Sequence, residues 1–169
     1  MRIRQEANKD YHSVYNLIKE AFNTAEHSDG NEQDLVVALR KGDSFVPELS
    51  LVAEINGTIV GHILFTKGKV GKDTVLVLAP LSILPEFQNQ GIGSALIKEG
   101  HKIAKELGYP YSLVLGSETY YPRFGYLPAV QFGIQVPDGM PSANFMAIKL
   151  LENAKSVSGA VTYAKEFGI

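Results

Sequence analysis

A short glycine-containing segment constrains the fold of this chain more than any other feature. The segment reads Gln88-Asn89-Gln90-Gly91-Ile92-Gly93 and follows the apolar run of residues 74–84. Apolar residues at helical spacing after it predict a helix over residues 91–107, which Gly108 ends. Glycines allow a tight turn and a close approach of ligand to backbone, and the first amides of a helix have no acceptor within it. The segment therefore predicts a site for a diphosphate at the start of a helix.

The elements on either side of this segment predict a parallel pair of strands. Residues 74–84 are almost entirely apolar, as in a strand that is buried on both faces. Pro80 has no amide hydrogen, so we expect a bulge or an end of pairing at that point. Residues 111–116 form the next apolar run. A strand, a helix and a second strand in this order predict a right-handed parallel crossover.

The remaining pattern predicts an α/β domain over residues 1–169. We expect a strand over residues 3–6 and helices over 10–22 and 32–40. Residues 51–55 and 58–68 predict a hairpin that turns at Asn56-Gly57. Beyond residue 126, a further antiparallel pair is predicted over 132–136 and 144–151.

Two common nucleotide-binding patterns are excluded at the glycine segment. A dinucleotide fingerprint requires a third small residue where this chain has Leu96. A P-loop requires Lys followed by Ser or Thr, but Gly93 is followed by Ser94 and Ala95. A plain nucleotide-binding domain is therefore disfavoured.

Composition narrows the classes of function further. The 169 residues hold 16 Lys and Arg against 18 Asp and Glu, so nucleic-acid binding is not indicated. The absence of cysteine excludes a thiol nucleophile and fits a reducing cytoplasm. The first residues lack an apolar signal core, and no run reaches membrane-spanning length, so we expect a soluble, cytoplasmic protein. The four histidines lack ligand spacing, and we expect no metal.

A second motif lies about one strand–helix–strand unit further along, at residues 119–126, which read TYYPRFGY. Tyr121 stands four residues before Gly125, and Tyr126 follows that glycine. Together, the two motifs resemble those of the GNAT superfamily of acetyl-coenzyme A dependent N-acetyltransferases, and in particular its bacterial YhbS-like branch. The resemblance covers residues 2–151.

The resemblance implies a mixed central sheet with splayed parallel strands, flanked by helices. It implies acetyl-coenzyme A as cofactor and direct attack by a primary amine of a small molecule or peptide, with a homodimer as one form of assembly. A non-catalytic module that binds acyl-coenzyme A is the alternative. The implied cofactor-binding residues are Leu81, Ser82, Ile83, Gln88, Asn89, Gln90, Gly91, Ile92, Gly93, Ser94 and Ala95.

Tyr121 is the implied catalytic residue, because a phenol is protonated at neutral pH and can donate its proton to the departing thiolate. Tyr120 is its adjacent rival, and Arg123 is expected to make a structural or phosphate contact.

No general base is assigned from the sequence. Glu54, Glu86 and Glu118 are candidates by position only, and a water chain that ends at Ser82 would serve equally well. His27 and Glu32 fall in the part of the chain that borders the acceptor site in the superfamily, although a structural role is favoured for both.

Overall fold

The structure is a computed structural model that describes residues 1–23 and 30–169. Eight strands and three helices, joined by short 3-10 turns, make up the described part. In chain order they are β1 (Arg2–Gln5), α1 (Tyr11–Phe22), α2 (Glu32–Arg40), β2 (Phe45–Ile55), β3 (Thr58–Val70), β4 (Asp73–Ile83), α3 (Ile92–Glu106), β5 (Tyr111–Leu115), β6 (Leu127–Pro128), β7 (Phe145–Lys149) and β8 (Val161–Thr162).

The strands form one mixed sheet in the order β1-β2-β3-β4-β5-β7-β6, and β8 pairs with the end of β3. β4 and β5 are parallel and are connected by α3, whereas the successive strands from β1 to β4 pair in antiparallel fashion. This mixed sheet with flanking helices confirms the predicted fold class.

The helices cover opposite faces of the sheet because side chains alternate along each strand. Ile63 and Phe65 of β3 pack with Leu96 of α3, while Leu64 between them packs with Ile18 of α1 and Leu39 of α2. Two apolar clusters therefore sandwich the same strands. The helix that follows the glycine segment, α3, packs on one face of the sheet, and α1 and α2 pack on the other.

The β4 strand leaves its parallel neighbour halfway along its length. Its pairing with β5 consists of Leu76 opposite Ser112 and Val77 opposite Leu113. On the other side β4 stays paired with β3 as far as Ile83, with a register shift in the region that contains Pro80. The backbone edge of β4 that faces β5 is therefore open beyond Val77. The bulge at Pro80 and the splay were both predicted.

Three predictions about strands are wrong. Residues 132–136 do not form a strand with 144–151: they follow a 3-10 turn at Ala129–Phe132, and Gly133 has a φ of +80° that interrupts extended backbone. β7 pairs instead with β5 and with the short β6. β2 begins at Phe45, six residues before the predicted start, because a register shift before Ser50 accommodates Pro47.

Candidate functional site

A cleft of about 450 Å³ lies at the N-terminal end of α3. Residues from the splayed end of β4, from the glycine segment and from the loop after β5 surround it. They are Leu81, Ile83, Phe87, Gln88, Asn89, Gly91, Ile92, Gly93, Ser94, Tyr120 and Arg123. The first and second sequence motifs therefore meet at one place.

The backbone of the glycine segment turns through two left-handed residues. Asn89 has a φ of +62° and Gly91, the residue that caps α3, has a φ of +85°. Side chains of the same segment tie it down. The Gln88 amide donates to the Ile83 carbonyl at 3.2 Å, and the Gln90 amide donates to the Glu86 carbonyl at 3.1 Å. The first bond links the loop to the end of β4, and the second holds the loop on itself.

The start of α3 offers backbone amides to a ligand. The first bond within the helix runs from the Ala95 amide to the Gly91 carbonyl at 3.1 Å, and no side chain caps this end. The amides of Ile92, Gly93 and Ser94 consequently have no acceptor inside the helix, and the positive end of the helix dipole lies with them. This end of the helix fits an anion such as a pyrophosphate.

Most of the predicted cofactor-binding residues line the cleft, but three do not. Gln90 bonds within its own loop, and Ala95 already donates its amide to the helix. Ser82 is 1% exposed and lies opposite His62 in the sheet, on the other face from its neighbours Leu81 and Ile83. Phe87 lines the cleft although it was not predicted, because a single aromatic residue between Glu86 and Gln88 forms no apolar pattern in the sequence.

Tyr120 and Arg123 bring the second motif to the cleft. A β-carbon placed on Gly93 would lie 2.5 Å from the Tyr120 hydroxyl, so this glycine is required for close approach of the tyrosine. Burial raises the pKa of Tyr120, while the charge of Arg123 and, to a smaller extent, a hydrogen bond from Ser94 act in the opposite direction. The Arg123 guanidinium stacks 4.5 Å from the centre of the Tyr120 ring, where it adds a positive charge to the cleft.

Tyr121 lies beside the cleft and not in its lining. Its ring packs edge-on against Tyr120 at 5.1 Å and against Tyr126 at 5.7 Å between ring centres. It also covers Gly116, where any side chain would overlap the ring. Burial raises the pKa of Tyr121 to about 12, so its hydroxyl is protonated at neutral pH.

The candidate bases are not gathered at the cleft. Glu54 contacts Arg4 at 3.4 Å, Glu118 accepts a hydrogen bond from Asn144 at 2.6 Å, and Glu86 is exposed on its loop. Glu32 begins α2, and His27 lies outside the described residues.

Two histidines are buried. The His101 ring contacts the hydroxyl of Tyr126, and burial lowers its pKa to about 4. His62 is fully buried on β3, where its Nε2 lies 3.0 Å from the Ser50 hydroxyl. Each contact joins residues that are distant in sequence, which explains why sequence patterns missed them.

In the described ranges, 1–23 and 30–169, no three His, Cys, Asp or Glu side chains are grouped closely enough to hold a metal ion. No helix in the same ranges is both long enough and apolar enough to cross a membrane.

The described geometry agrees with comparisons to known proteins. The model of the acetyltransferase (GNAT) family matches residues 11–126. The N-acetyltransferase YhbS of Escherichia coli K12, whose own activity is uncharacterized, is 31% identical over 99% of this chain and 98% of its own length. A second E. coli relative, the uncharacterized N-acetyltransferase YjhQ, is 44% identical over 101 residues, and this match spans only 57% of this chain and 56% of the relative.

Two solved structures have the same fold along their length. YhbS of E. coli in complex with CoA has a TM-score of 0.89 and 26% identity, over 99% of this chain and 92% of that structure. A GNAT family acetyltransferase from Brucella melitensis in complex with acetyl-CoA has a TM-score of 0.83 and 30% identity, over 98% of this chain and 97% of that structure. The family match, the whole-length relative and the shared fold agree, and this chain belongs to the GNAT family of acetyltransferases.

Proposed function

We propose that this protein transfers the acetyl group of acetyl-coenzyme A to a primary amine of a small molecule or peptide. The proposal treats residues 1–169 as one catalytic domain that works in the cytoplasm, alone or as a homodimer. Family membership supports the reaction type, and the acceptor class comes from the resemblance of the two motifs.

The observation that carries the proposal is the cleft at the start of α3. The amides of Ile92, Gly93 and Ser94 are open, the helix dipole is positive there, and Arg123 adds a full positive charge. These groups fit a pyrophosphate. Next to them, the open edge of β4 beyond Val77 offers backbone donors and acceptors, with which the amides of a pantetheine arm can pair like a strand.

The residues of the chain then have separate tasks in the transfer. Acetyl-coenzyme A supplies the thioester carbon that the amine attacks, with loss of the thiolate. Backbone groups near Leu81 and Ile83 hold the carbonyl and the charge that develops on its oxygen. Tyr121, protonated at neutral pH, gives its proton to the departing sulfur. The attacking nitrogen loses one proton to water, and the tyrosine regains one from water, so the reaction balances.

A transfer assay tests the proposal directly. The protein is incubated with acetyl-coenzyme A and a panel of primary amines that includes polyamines, aminoglycosides, amino acids and peptide N-termini, in buffer that contains a chelator. Release of free thiol and mass spectrometry of the amine are followed together. We expect at least one amine to gain an acetyl group in step with thiol release, and the rate to be unaffected by the chelator.

The controls separate the proposed enzyme from a binding module. Reactions without amine measure simple hydrolysis of the thioester, and N-methylated amines test the need for an attacking nitrogen. Tight binding of acetyl-coenzyme A without acetylation of any amine in the panel would favour the non-catalytic alternative. Activity that disappears with the chelator and returns with one metal would contradict the metal-free mechanism.

A further inference from the structure

Three buried side-chain atoms in the described part of the chain have no hydrogen-bond partner: His62 Nδ1, Ser82 Oγ and Thr66 Oγ1. Buried polar atoms are nearly always paired, so each of these atoms requires an explanation. His62 and Ser82 are direct cross-strand neighbours in the β3–β4 ladder, and their side chains therefore share one face of the sheet. The exposed fractions of the two residues are 0% and 1%.

A chain of hydrogen bonds fixes which nitrogen of His62 carries the hydrogen. Arg40 holds the Glu6 carboxylate with contacts of 3.0 and 2.6 Å, and the Ser50 hydroxyl donates to the same carboxylate at 2.9 Å. A serine hydroxyl has one hydrogen, so Ser50 can only accept from the His62 Nε2 that lies 3.0 Å away. Nε2 is therefore the protonated nitrogen, and Nδ1 has a free lone pair.

The two unpaired atoms are chemically complementary. Burial, with a smaller contribution from the charge of Arg40, lowers the pKa of His62 to about 3, which keeps its ring neutral at pH 7. Nδ1 is then an acceptor, and the Ser82 hydroxyl is a donor without an acceptor. Side chains that face each other across an antiparallel pair have Cβ atoms about 5 Å apart, so a rotation of the Ser82 side chain about its Cα–Cβ bond can bring its hydroxyl within reach of Nδ1.

Ser82 also lies beside the proposed site of the reaction, on the face of the sheet opposite to the cleft. It follows the point at which β4 leaves β5, and its neighbours Leu81 and Ile83 line the cleft from the opposite face of the sheet. When the Ser82 hydroxyl donates its hydrogen bond to His62 Nδ1, its oxygen can act only as an acceptor toward other groups. Because Ser82 is only 1% exposed and faces away from the cleft, this oxygen accepts a hydrogen from an amine, or from one water beside it, only when the acceptor enters from the opposite face of the sheet.

We propose that His62 is a positioning residue that fixes the Ser82 hydroxyl as a hydrogen-bond acceptor for the amine of the acceptor substrate, directly or through one water. Glu6 and Ser50 hold the ring in the required tautomer. This inference rests on the proposed transfer to an amine, but the hydrogen bond between His62 and Ser82 can be tested without it.

The first experiment observes the histidine ring in the whole protein by nitrogen-15 NMR. We expect His62 to carry its hydrogen on Nε2 and to show an Nδ1 signal shifted by hydrogen bonding. Ser82→Ala removes the donor, and the Nδ1 signal should then move toward that of an unpaired ring nitrogen. An Nδ1 signal that is the same in the parent and in Ser82→Ala would overturn the inference, whether or not an acceptor amine has been found.

The second experiment measures kcat and KM with an amine that the parent protein acetylates. Ser82→Ala should lower kcat about tenfold, the value of about one hydrogen bond to the reacting group, with an unchanged KM for acetyl-coenzyme A. Thr66→Val is the matched control, since it also removes a buried hydroxyl that has no partner. A purely structural role predicts no loss of rate for either variant, because neither hydroxyl contributes a bond to the fold.

Two substitutions of His62 separate its nitrogens. His62→Gln places an amide near the Nε2 position and keeps the contact with Ser50, whereas His62→Asn places an amide near the Nδ1 position. Thermal unfolding shows which variants remain folded. Among folded variants, His62→Asn should retain more of the parental kcat than His62→Gln. Equal rates for the two, or a parental rate for Ser82→Ala, would overturn the positioning role.

Discussion

Adjacent tyrosines in the second motif occupy different surroundings. Tyr120 touches the start of α3 through Gly93 and lines the cleft, while Tyr121 is packed between Gly116 and Tyr126. Tyr121 is the acid in our proposal, which rests on the resemblance of its spacing to Gly125, and its burial keeps the phenol protonated. Proximity to the cleft favours Tyr120 as a binding group. The two side chains can be distinguished by their effects on binding and on rate.

Tyr121→Phe removes one hydroxyl and keeps the ring that packs in the motif. We expect kcat to fall by about 10²-fold, the usual scale of general acid catalysis, with little change in the affinity for acetyl-coenzyme A. Tyr120→Phe should lower kcat far less. Steady-state rates and calorimetric binding of the cofactor provide the comparison. If Tyr121→Phe turns over at the parental rate while chemistry is rate-limiting, another group protonates the thiolate.

Residues of the site were predictable only where they are neighbours in sequence. Gln88, Gly91 and Gly93 stand in one local motif, so their order along the chain already places them at the start of a helix. The cluster around His62 joins Glu6, just after β1, with residues of α2, β2 and β3, and nothing in the local sequence indicates that Glu6 and Ser50 would meet. Contacts between segments need the register of the sheet, which the sequence does not show.

At the scale of elements, the position of the cleft depends on how closely α3 lies on the sheet. Gly100 stands in the middle of α3, and a β-carbon there would overlap the ring of Phe65 on β3. Phe65 is fully buried and cannot move aside without disturbing the cluster that holds α3. The small residue at position 100 therefore sets the distance between the helix and β3.

Gly100→Ala should destabilise the protein in spite of the better helix propensity of alanine. Propensity alone would contribute up to about 1 kcal/mol of stability. Overpacking against Phe65 is expected to cost more, which leaves a net loss of about 1 to 2 kcal/mol in the free energy of unfolding. Lys98→Ala, at an exposed position of the same helix, should change it by less than about 0.5 kcal/mol. Urea denaturation measures both, and a Gly100→Ala variant that is more stable than the parent would contradict the close packing.

Among the strands, too, pairings that a local sequence signal indicates were predicted, and pairings with distant segments were not. The Asn56-Gly57 turn fixed the hairpin of β2 and β3, and the α3 crossover fixed the parallel pair, so both were predicted. β6 and β8 have only two residues each, too few for an alternating pattern, and their partners lie far away along the chain. Residues 132–136 were mistaken for a strand because their apolar residues pack under a turn, where Ile134 is buried without a strand ladder.

On the scale of the whole molecule, charge gives no long-range attraction for an anionic cofactor. The formal net charge is −2, so a negatively charged ligand must be held by local groups. The start of α3 and Arg123 provide these groups, and the splay of β4 from β5 leaves room beside them. The fold and family predicted from the sequence are confirmed, while the acceptor amine, the catalytic tyrosine and the role of His62 remain proposals.

The most direct test of this account compares two glycines at opposite ends of α3. Gly91 and Gly108 have φ values of +85° and +87°, and a β-carbon would meet nothing within 4 Å at either position. Alanine should therefore strain both sites alike, by about 1 to 2 kcal/mol, but only Gly91 lines the cleft. Isothermal titration of acetyl-coenzyme A should show affinity at least tenfold weaker for Gly91→Ala and unchanged for Gly108→Ala. Equal, parental affinity in both folded variants would contradict a pyrophosphate site at the start of α3.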